Sequence, residues 1–217
     1  EYSRSFSFAK KKQRGSTKIK TINSVYIDSW RRSSNTSDII EVHLNKSLKP
    51  GESIELEINY TVKLPDSKFT GYGFDNDNFY LKNWLIVFSN ISNSNWYSQS
   101  NLNLDDQSLK RSGYKLRFSF DKDYYLFSNL IKNNTEVINN LKSVSLSGSG
   151  IKDVRINLLI EENYKRFQNN KNEIEIDYFV RYENLLEDLK KIDIDNIQKL
   201  NSSKIDDNNM IQLTKKS

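Results

Sequence analysis

Ser53-Ile-Glu-Leu-Glu-Ile-Asn-Tyr-Thr-Val-Lys-Leu64 decides the fold class, because it separates into two sets of residues. Ile54, Leu56, Ile58, Tyr60, Val62 and Leu64 fall at every second position, with Ser53, Glu55, Glu57, Asn59, Thr61 and Lys63 between them. Successive side chains of an extended strand point to opposite faces, so this run lays one apolar face on a core and turns a polar face to water. A helix would scatter both sets around its axis. Pro65 cannot donate to a ladder and ends the strand. Upstream, Ile40, Val42 and Leu44 alternate with Glu41, His43 and Asn45, and Lys49-Pro-Gly51 is a turn sequence, so the two runs are expected to pair as a hairpin.

Residues 19–30, 79–88, 114–120, 144–146, 154–160 and 173–180 carry the same period or the same enrichment in branched and aromatic residues, and each is expected as a strand. In residues 114–120, Tyr114, Leu116, Phe118 and Phe120 share a face. Short strands with turns and no helices between them predict an all-β chain, an antiparallel sandwich or open saddle. Ile54, Leu56, Ile58, Val62, Leu116, Phe118, Ile156 and Leu158 are its expected core. Beyond Arg181 the period changes: Leu185, Leu186, Leu189, Ile192 and Ile197 stand near helical spacing among Glu183, Glu187, Asp188, Lys190 and Lys191. A short amphipathic C-terminal helix is expected there, followed by a polar tail over residues 201–217.

The 217 residues suffice for one sizeable core, or for one domain and the start of another. With only 7 Gly and 2 Pro, turns must lean on Asn, Asp and Ser, which bond their own backbone, although the Asn and Lys content is equally consistent with a codon bias. No cysteine is present, which removes disulfides, thiolate ligands and a cysteine nucleophile without fixing a compartment. No apolar run is long enough for a membrane span, and no charged-then-apolar signal segment opens the chain, which begins at Glu1.

Of 33 Lys and Arg, seven (Arg4, Lys10, Lys11, Lys12, Arg14, Lys18 and Lys20) lie in residues 1–20 against Glu1 alone. The net charge of +5 is therefore local, and the rest of the chain is nearly neutral. A basic N-terminal segment over residues 1–17, solvated as a tail or hairpin, is expected in preference to a nucleic-acid-binding arm.

Few residues carry chemistry. His43 is the only histidine and stands on the polar side of its run, whereas zinc needs three or four convergent donors and a His-Glu-x-x-His helix needs two imidazoles. No metal site follows. A serine triad would need His43 as base and a Gly-x-Ser-x-Gly elbow, which is absent. Asp75-Asn76-Asp77-Asn78 begins like a calcium loop, but Tyr80 and Ile86 occupy the positions of the loop's glycine and bidentate glutamate, so a polar turn is expected. Asp105-Asp106 and Glu161-Glu162 are neighbours that point apart in a strand, which excludes a carboxylate dyad. Trp30, Trp84 and Trp96 are expected as core and rim.

Several quoted stretches together resemble a known family. They are Ile19-Lys-Thr-Ile22, Asp38-Ile-Ile-Glu-Val42, Leu48-Lys-Pro-Gly-Glu-Ser53, Tyr60-Thr-Val-Lys-Leu-Pro65, Tyr80-Leu-Lys-Asn-Trp84, and Trp96 with Asn101-Leu-Asn-Leu-Asp-Asp-Gln107. In this order, over residues 17–177, they resemble the N-terminal β-domain of bacterial aminopeptidase N-like zinc metallopeptidases. The resemblance implies a saddle-shaped, non-catalytic domain over residues 18–180. That domain would roof the peptide cleft of a thermolysin-like catalytic domain of the same polypeptide. Residues 181–217 would begin that catalytic domain, cut before its zinc helix. It also implies zinc in the parent protein but none in this chain, a peptide substrate reached through the catalytic domain, and an exported setting, periplasmic or at the cell surface. Asp75, Asp77, Tyr80, Asn83 and Trp84 would then face the cleft. Leu85-Ile86 stands where the family has an aromatic-Pro pair, and the glutamine that meets the substrate amine has no counterpart, so no catalytic residue is carried over. The alternative from the residues alone is an independent or degenerate β-sandwich binding or adhesion module, with aromatics near Trp84 and Trp96 as its ligand face.

Overall fold

The computed structural model describes residues 8–34, 36–93, 95–97, 109–171, 174–182 and 211–215. The chain is all-β and its named sheets are antiparallel. The first strands are β1 (Ser16–Asn23), β2 (Ile27–Arg32), β3 (Ile40–Leu44) and β4 (Glu57–Lys63), followed by the short helix α1 (Ser67–Thr70). Next come β5 (Gly73–Asp75), β6 (Asn78–Leu81), β7 (Asn90–Ser92), β8 (Asn95–Tyr97), β9 (Ser112–Asp121) and β10 (Tyr124–Ser128). The remaining strands are β11 (Ile131–Ile138), β12 (Leu141–Ile151), β13 (Ile156–Ile160), β14 (Tyr164–Lys171), β15 (Ile174–Arg181) and β16 (Ile211–Lys215). The expected helix over residues 185–197 lies outside the described residues, as do Asn101 to Gln107. Within the expected tail, residues 211–215 form β16 along β15.

The opening run behaves as its period demands. From Ser53 to Leu64 every polar residue is exposed and every apolar one half-buried. Its partner, however, is not the expected one. β4 pairs with β1, setting Ile22 opposite Ile58 and Ile19 opposite Tyr60, while β3 pairs with β2 and sets Trp30 opposite Val42. Lys49-Pro-Gly51 still turns: the Glu52 amide donates to the Lys49 carbonyl at 3.0 Å, and Gly51 takes φ 84°. That is the turn chemistry of Pro followed by Gly. But residues 45–56 separate the two ladders, too long a connection to impose hairpin pairing. Periodicity fixes which face a strand buries; it does not name the neighbour.

Two larger sheets hold the core. One has the order β10-β13-β6-β5, the other β11-β12-β9. In β9, Tyr114, Leu116, Phe118 and Phe120 turn inward opposite Gly148, Leu146, Val144 and Lys142 of β12. They meet Leu81 of β6 and Ile156 and Leu158 of β13 in one cluster with Leu130 and Val154. Val144 and Ile156 are fully enclosed, and Ile156 and Leu158 are the two expected core residues that are buried outright. Ile54, Leu56, Ile58, Val62, Leu116 and Phe118 are only half-buried. Two strands offer too narrow a face to be sealed, and β9 lies at the edge of its sheet.

The β10-β13-β6-β5 sheet is covered on its second face as well. Tyr125 and Phe127 of β10 point away from the core cluster and pack edge-on against Phe179 of β15, with ring centroids 5.1 and 4.5 Å apart. Leu159, on that same face of β13, is 2% exposed. The architecture is therefore layered: β11-β12-β9, then the central sheet, then the β14-β15 hairpin.

Several expected strands are shorter than their apolar runs: the run from Ser53 is strand only from Glu57, and that from Val154 only from Ile156. Residues 19–30 break at Ser24, whose carbonyl accepts the Ile27 amide, and continue as β1 and β2. In residues 79–88 only the beginning is strand, because Asn83 takes φ 55° and turns the chain out of β6.

Candidate substrate-cleft group

Asp75-Asn76-Asp77-Asn78 closes the β5–β6 hairpin. Asp75 pairs with Asn78, leaving Asn76 and Asp77 as the turn, and Asn76 takes φ 50°, a value Asn tolerates better than most residues. The hairpin is anchored by Gly73, whose φ of 113° lies outside the range of other residues. Its neighbour Phe74 donates its amide to the Pro65 carbonyl at 2.9 Å.

Alternation within the hairpin sorts the named residues. Phe79 and Leu81 face the core, whereas Asp75, Asn78 and Tyr80 face the β14-β15 layer. There they meet Tyr164 and Arg181, which stand opposite each other at the base of the β14–β15 ladder. The Tyr164 hydroxyl receives Asn78 Nδ2 at 3.2 Å and Arg181 Nε at 2.9 Å. Asn78 Oδ1 accepts the Ile160 amide at 3.2 Å. Among the described residues Asn78 is the one buried polar side chain, and both ends of its amide are bonded.

This polar seam alters two groups. Burial, with Tyr164 and Asp75 nearby, pushes the Tyr80 phenol up to about 12, with the Arg181 guanidinium pulling the other way. Arg181 is raised in turn, first by its hydrogen bond to Tyr164 and against the cost of its own burial. A neutral phenol, a carboxylate and a fixed guanidinium thus sit together where β15 ends. Such a group can orient a polar ligand, with the Tyr80 phenol held protonated near neutral pH.

The five residues expected at the cleft do not all gather. Asp75 and Tyr80 join the seam. Asp77 is exposed at the hairpin tip. Asn83 supplies the turn after β6, beside Leu85, Tyr114 and Val154. Trp84 packs on the core side, stacked edge-on to Phe118 with centroids 6.0 Å apart, and its Nε1 donates to the Val154 carbonyl at 3.1 Å. Asn78, Tyr164 and Arg181 escaped the sequence reading. Tyr164 lies 86 residues from Asn78, and no local pattern announces such a pairing.

His43 lies exposed on β3 opposite Ser29. Among the described residues no three His, Asp or Glu side chains are grouped to hold a metal. Among them, too, no helix is long and apolar enough to cross a membrane, a statement that does not extend to strands. No protein-family model, curated protein or solved structure matches the chain. Trp96 of β8 and Tyr97 beside it are exposed, and Ile91 of β7, opposite Trp96, is exposed too.

Proposed function

We propose that this chain is the non-catalytic N-terminal β-domain of an aminopeptidase N-like zinc metallopeptidase, roofing the peptide cleft of a catalytic domain. The observation that carries the reading is the seam of Asp75, Tyr80, Tyr164 and Arg181. Two residues assigned to the cleft by resemblance lie near Arg181, the last residue of β15. A polar group on one side of the domain, able to meet a peptide, is what supports the roofing role.

The residues present do not fit a catalytic zinc, since one histidine cannot furnish the imidazole pair that such a centre needs. Peptide hydrolysis of this class needs a metal to polarise the carbonyl and generate hydroxide, and that chemistry belongs to the catalytic domain. The role left to this chain is to orient: Asp75 offers a carboxylate to a cationic amino terminus, and Tyr80 a neutral hydroxyl.

The test is an aminopeptidase assay on the purified chain, with and without added zinc, alone and with the catalytic domain encoded by the same gene. No release of amino-terminal residues is expected from the chain alone, and a lower KM when it complements the catalytic domain. Zinc-dependent release by the chain alone that disappears in His43→Ala would sink the reading. A second reading, an independent binding module, draws on the exposed Ile91, Trp96 and Tyr97. It predicts that Trp96→Ala abolishes ligand capture while Asp75→Asn leaves it intact.

A further inference from the structure

The basic N-terminal run is fastened to the domain, which its composition does not suggest. Ala9 is buried, and its carbonyl accepts Arg14 Nε at 2.9 Å. Residues Lys11–Gln13 make a single 3-10 turn, closed by the Gln13 amide on the Lys10 carbonyl at 2.8 Å and by the Lys10 amide on Gln13 Oε1 at 3.0 Å. The turn is tied to the chain after β4: the Asp66 amide donates to the Gln13 carbonyl at 2.9 Å, Gln13 Nε2 to Asp66 Oδ2 at 3.3 Å, and Lys63 Nζ to the Lys11 carbonyl at 3.1 Å. Gly15 completes the junction, lying so close to Pro65 that a Cβ would stand 3.0 Å from its Cδ.

A tail has thereby become a surface. Lys10, Lys11, Lys12 and Arg14 are exposed around the fixed turn. Lys18 and Lys63 extend them along the polar face of β1 and β4, where the register sets Ser16 opposite Lys63 and Lys18 opposite Thr61. Asp66, a carboxylate at this corner, caps α1 through the Lys68 amide and accepts from Gln13. Phe8, 81% exposed, stands at the margin of the cations.

We propose that this corner seats the protein on an anionic lipid bilayer. Five of the six cations are lysines, compact charges suited to diffuse attraction by many headgroups rather than to forked reading of single phosphates. They border a strand face and one exposed aromatic, Phe8, whose ring can enter the headgroup boundary beside them. A single-strand nucleic-acid site interleaves its cations with several stacking rings, and among the described residues of this corner Phe8 is the one exposed ring. The fixed turn also removes the ordering cost that a free polybasic tail meets on binding. The proposal stands apart from the peptidase reading and survives its failure.

The full chain is mixed with sedimentable vesicles of phosphatidylcholine containing phosphatidylserine, and separately with vesicles of phosphatidylcholine alone. Binding to the anionic vesicles only, released by salt, is expected. Each lysine near such a surface is worth about fivefold in affinity, so Lys11→Gln with Lys12→Gln should weaken binding about 25-fold. Phe8→Ala should weaken it further, and Lys115→Gln with Lys132→Gln, on β9 and β11, should leave it unchanged. The substituted side chains make none of the bonds that hold the turn, and a far-UV spectrum confirms the fold. Equal binding to neutral vesicles, or a Lys11/Lys12 double variant that binds like the parent, overturns the proposal. So does tighter binding to duplex DNA at the same salt with the same dependence on Lys11 and Lys12, which would assign the corner to nucleic acid.

Discussion

Gly73 shows most directly how one residue fixes the geometry of the site. Its φ of 113° is closed to residues with a side chain, and a Cβ there would lie 2.0 Å from the Pro65 carbonyl oxygen. That same oxygen accepts the Phe74 amide, so it cannot retreat without loss. Gly73→Ala is expected to destabilise the fold by about 3 kcal/mol or more, from strain and a broken bond together, measurable as a lowered midpoint in urea. A midpoint within error of the parent would show that the Pro65–Phe74 contact is dispensable. Tyr80 supports a second prediction at this scale. Burial pushes its phenol from the ordinary value of 10.0 up to about 12, so the folded state holds the proton more tightly. The stability this contributes is complete below pH 10 and is lost as pH rises through about 12. Tyr80→Phe should therefore flatten the fall of the thermal midpoint over that interval. An unchanged slope in the variant would mean that the phenol lies open to solvent in the folded protein.

At the scale of elements, the sequence is eloquent about faces and nearly silent about neighbours. The alternation in residues 53–64 and in β9 is reproduced position by position in the burial of the side chains. That Pro65 ends the strand was also legible, because its missing donor acts locally. The pairing of β4 with β1 was not, since a long loop leaves the choice of partner to cross-strand matches such as Ile22 with Ile58. β11 was missed because all its residues are exposed, so no period of two could develop. Within the cleft group, Asp75 and Tyr80 could be named from the chain, whereas the partners that give them their environment come from strands remote in sequence. Asn78 illustrates the consequence. It joins β6 to β13 through the Ile160 amide and to β14 through Tyr164. Asn78→Leu fills the volume yet leaves the half-buried Ile160 amide without an acceptor, and a loss of about 1–3 kcal/mol is expected. The measurement is equilibrium unfolding, paired with Tyr164→Phe. If the two losses simply add, the residues are not coupled and the seam is no network.

Across the whole molecule, stability is distributed unevenly, and the distribution follows from the layers. Val144, Leu146, Val154, Ile156 and Leu159 are the most enclosed side chains, and all belong to the two larger sheets or their junction. The β1-β4 and β2-β3 pairs are separate two-stranded ladders whose apolar faces remain half-open. A two-stranded sheet is marginal by itself, so these pairs depend on contacts they do not fully bury. Opening free energies should then rise from the first ladders toward the centre. Native-state hydrogen exchange is expected to show amides of β12 and β13 exchanging only with global unfolding, and those of β2 and β3 through smaller openings. The third layer makes the sharper test. Phe179 packs against Tyr125 and Phe127, and its loss removes both of these ring contacts between the β14-β15 hairpin and the central sheet. Phe179→Ala, at a half-buried site, should cost about 2 kcal/mol if the hairpin opens only with the rest of the molecule. If the hairpin is instead an independent flap, the same substitution leaves the global midpoint unchanged and speeds exchange in β14 and β15 alone. The first outcome is expected, because Tyr164 is itself buried and bonded to Asn78, tying the hairpin to the core through a polar seam as well as through stacked rings. Selective exchange with a constant midpoint would dismiss the layered description and detach Arg181 from the cleft group.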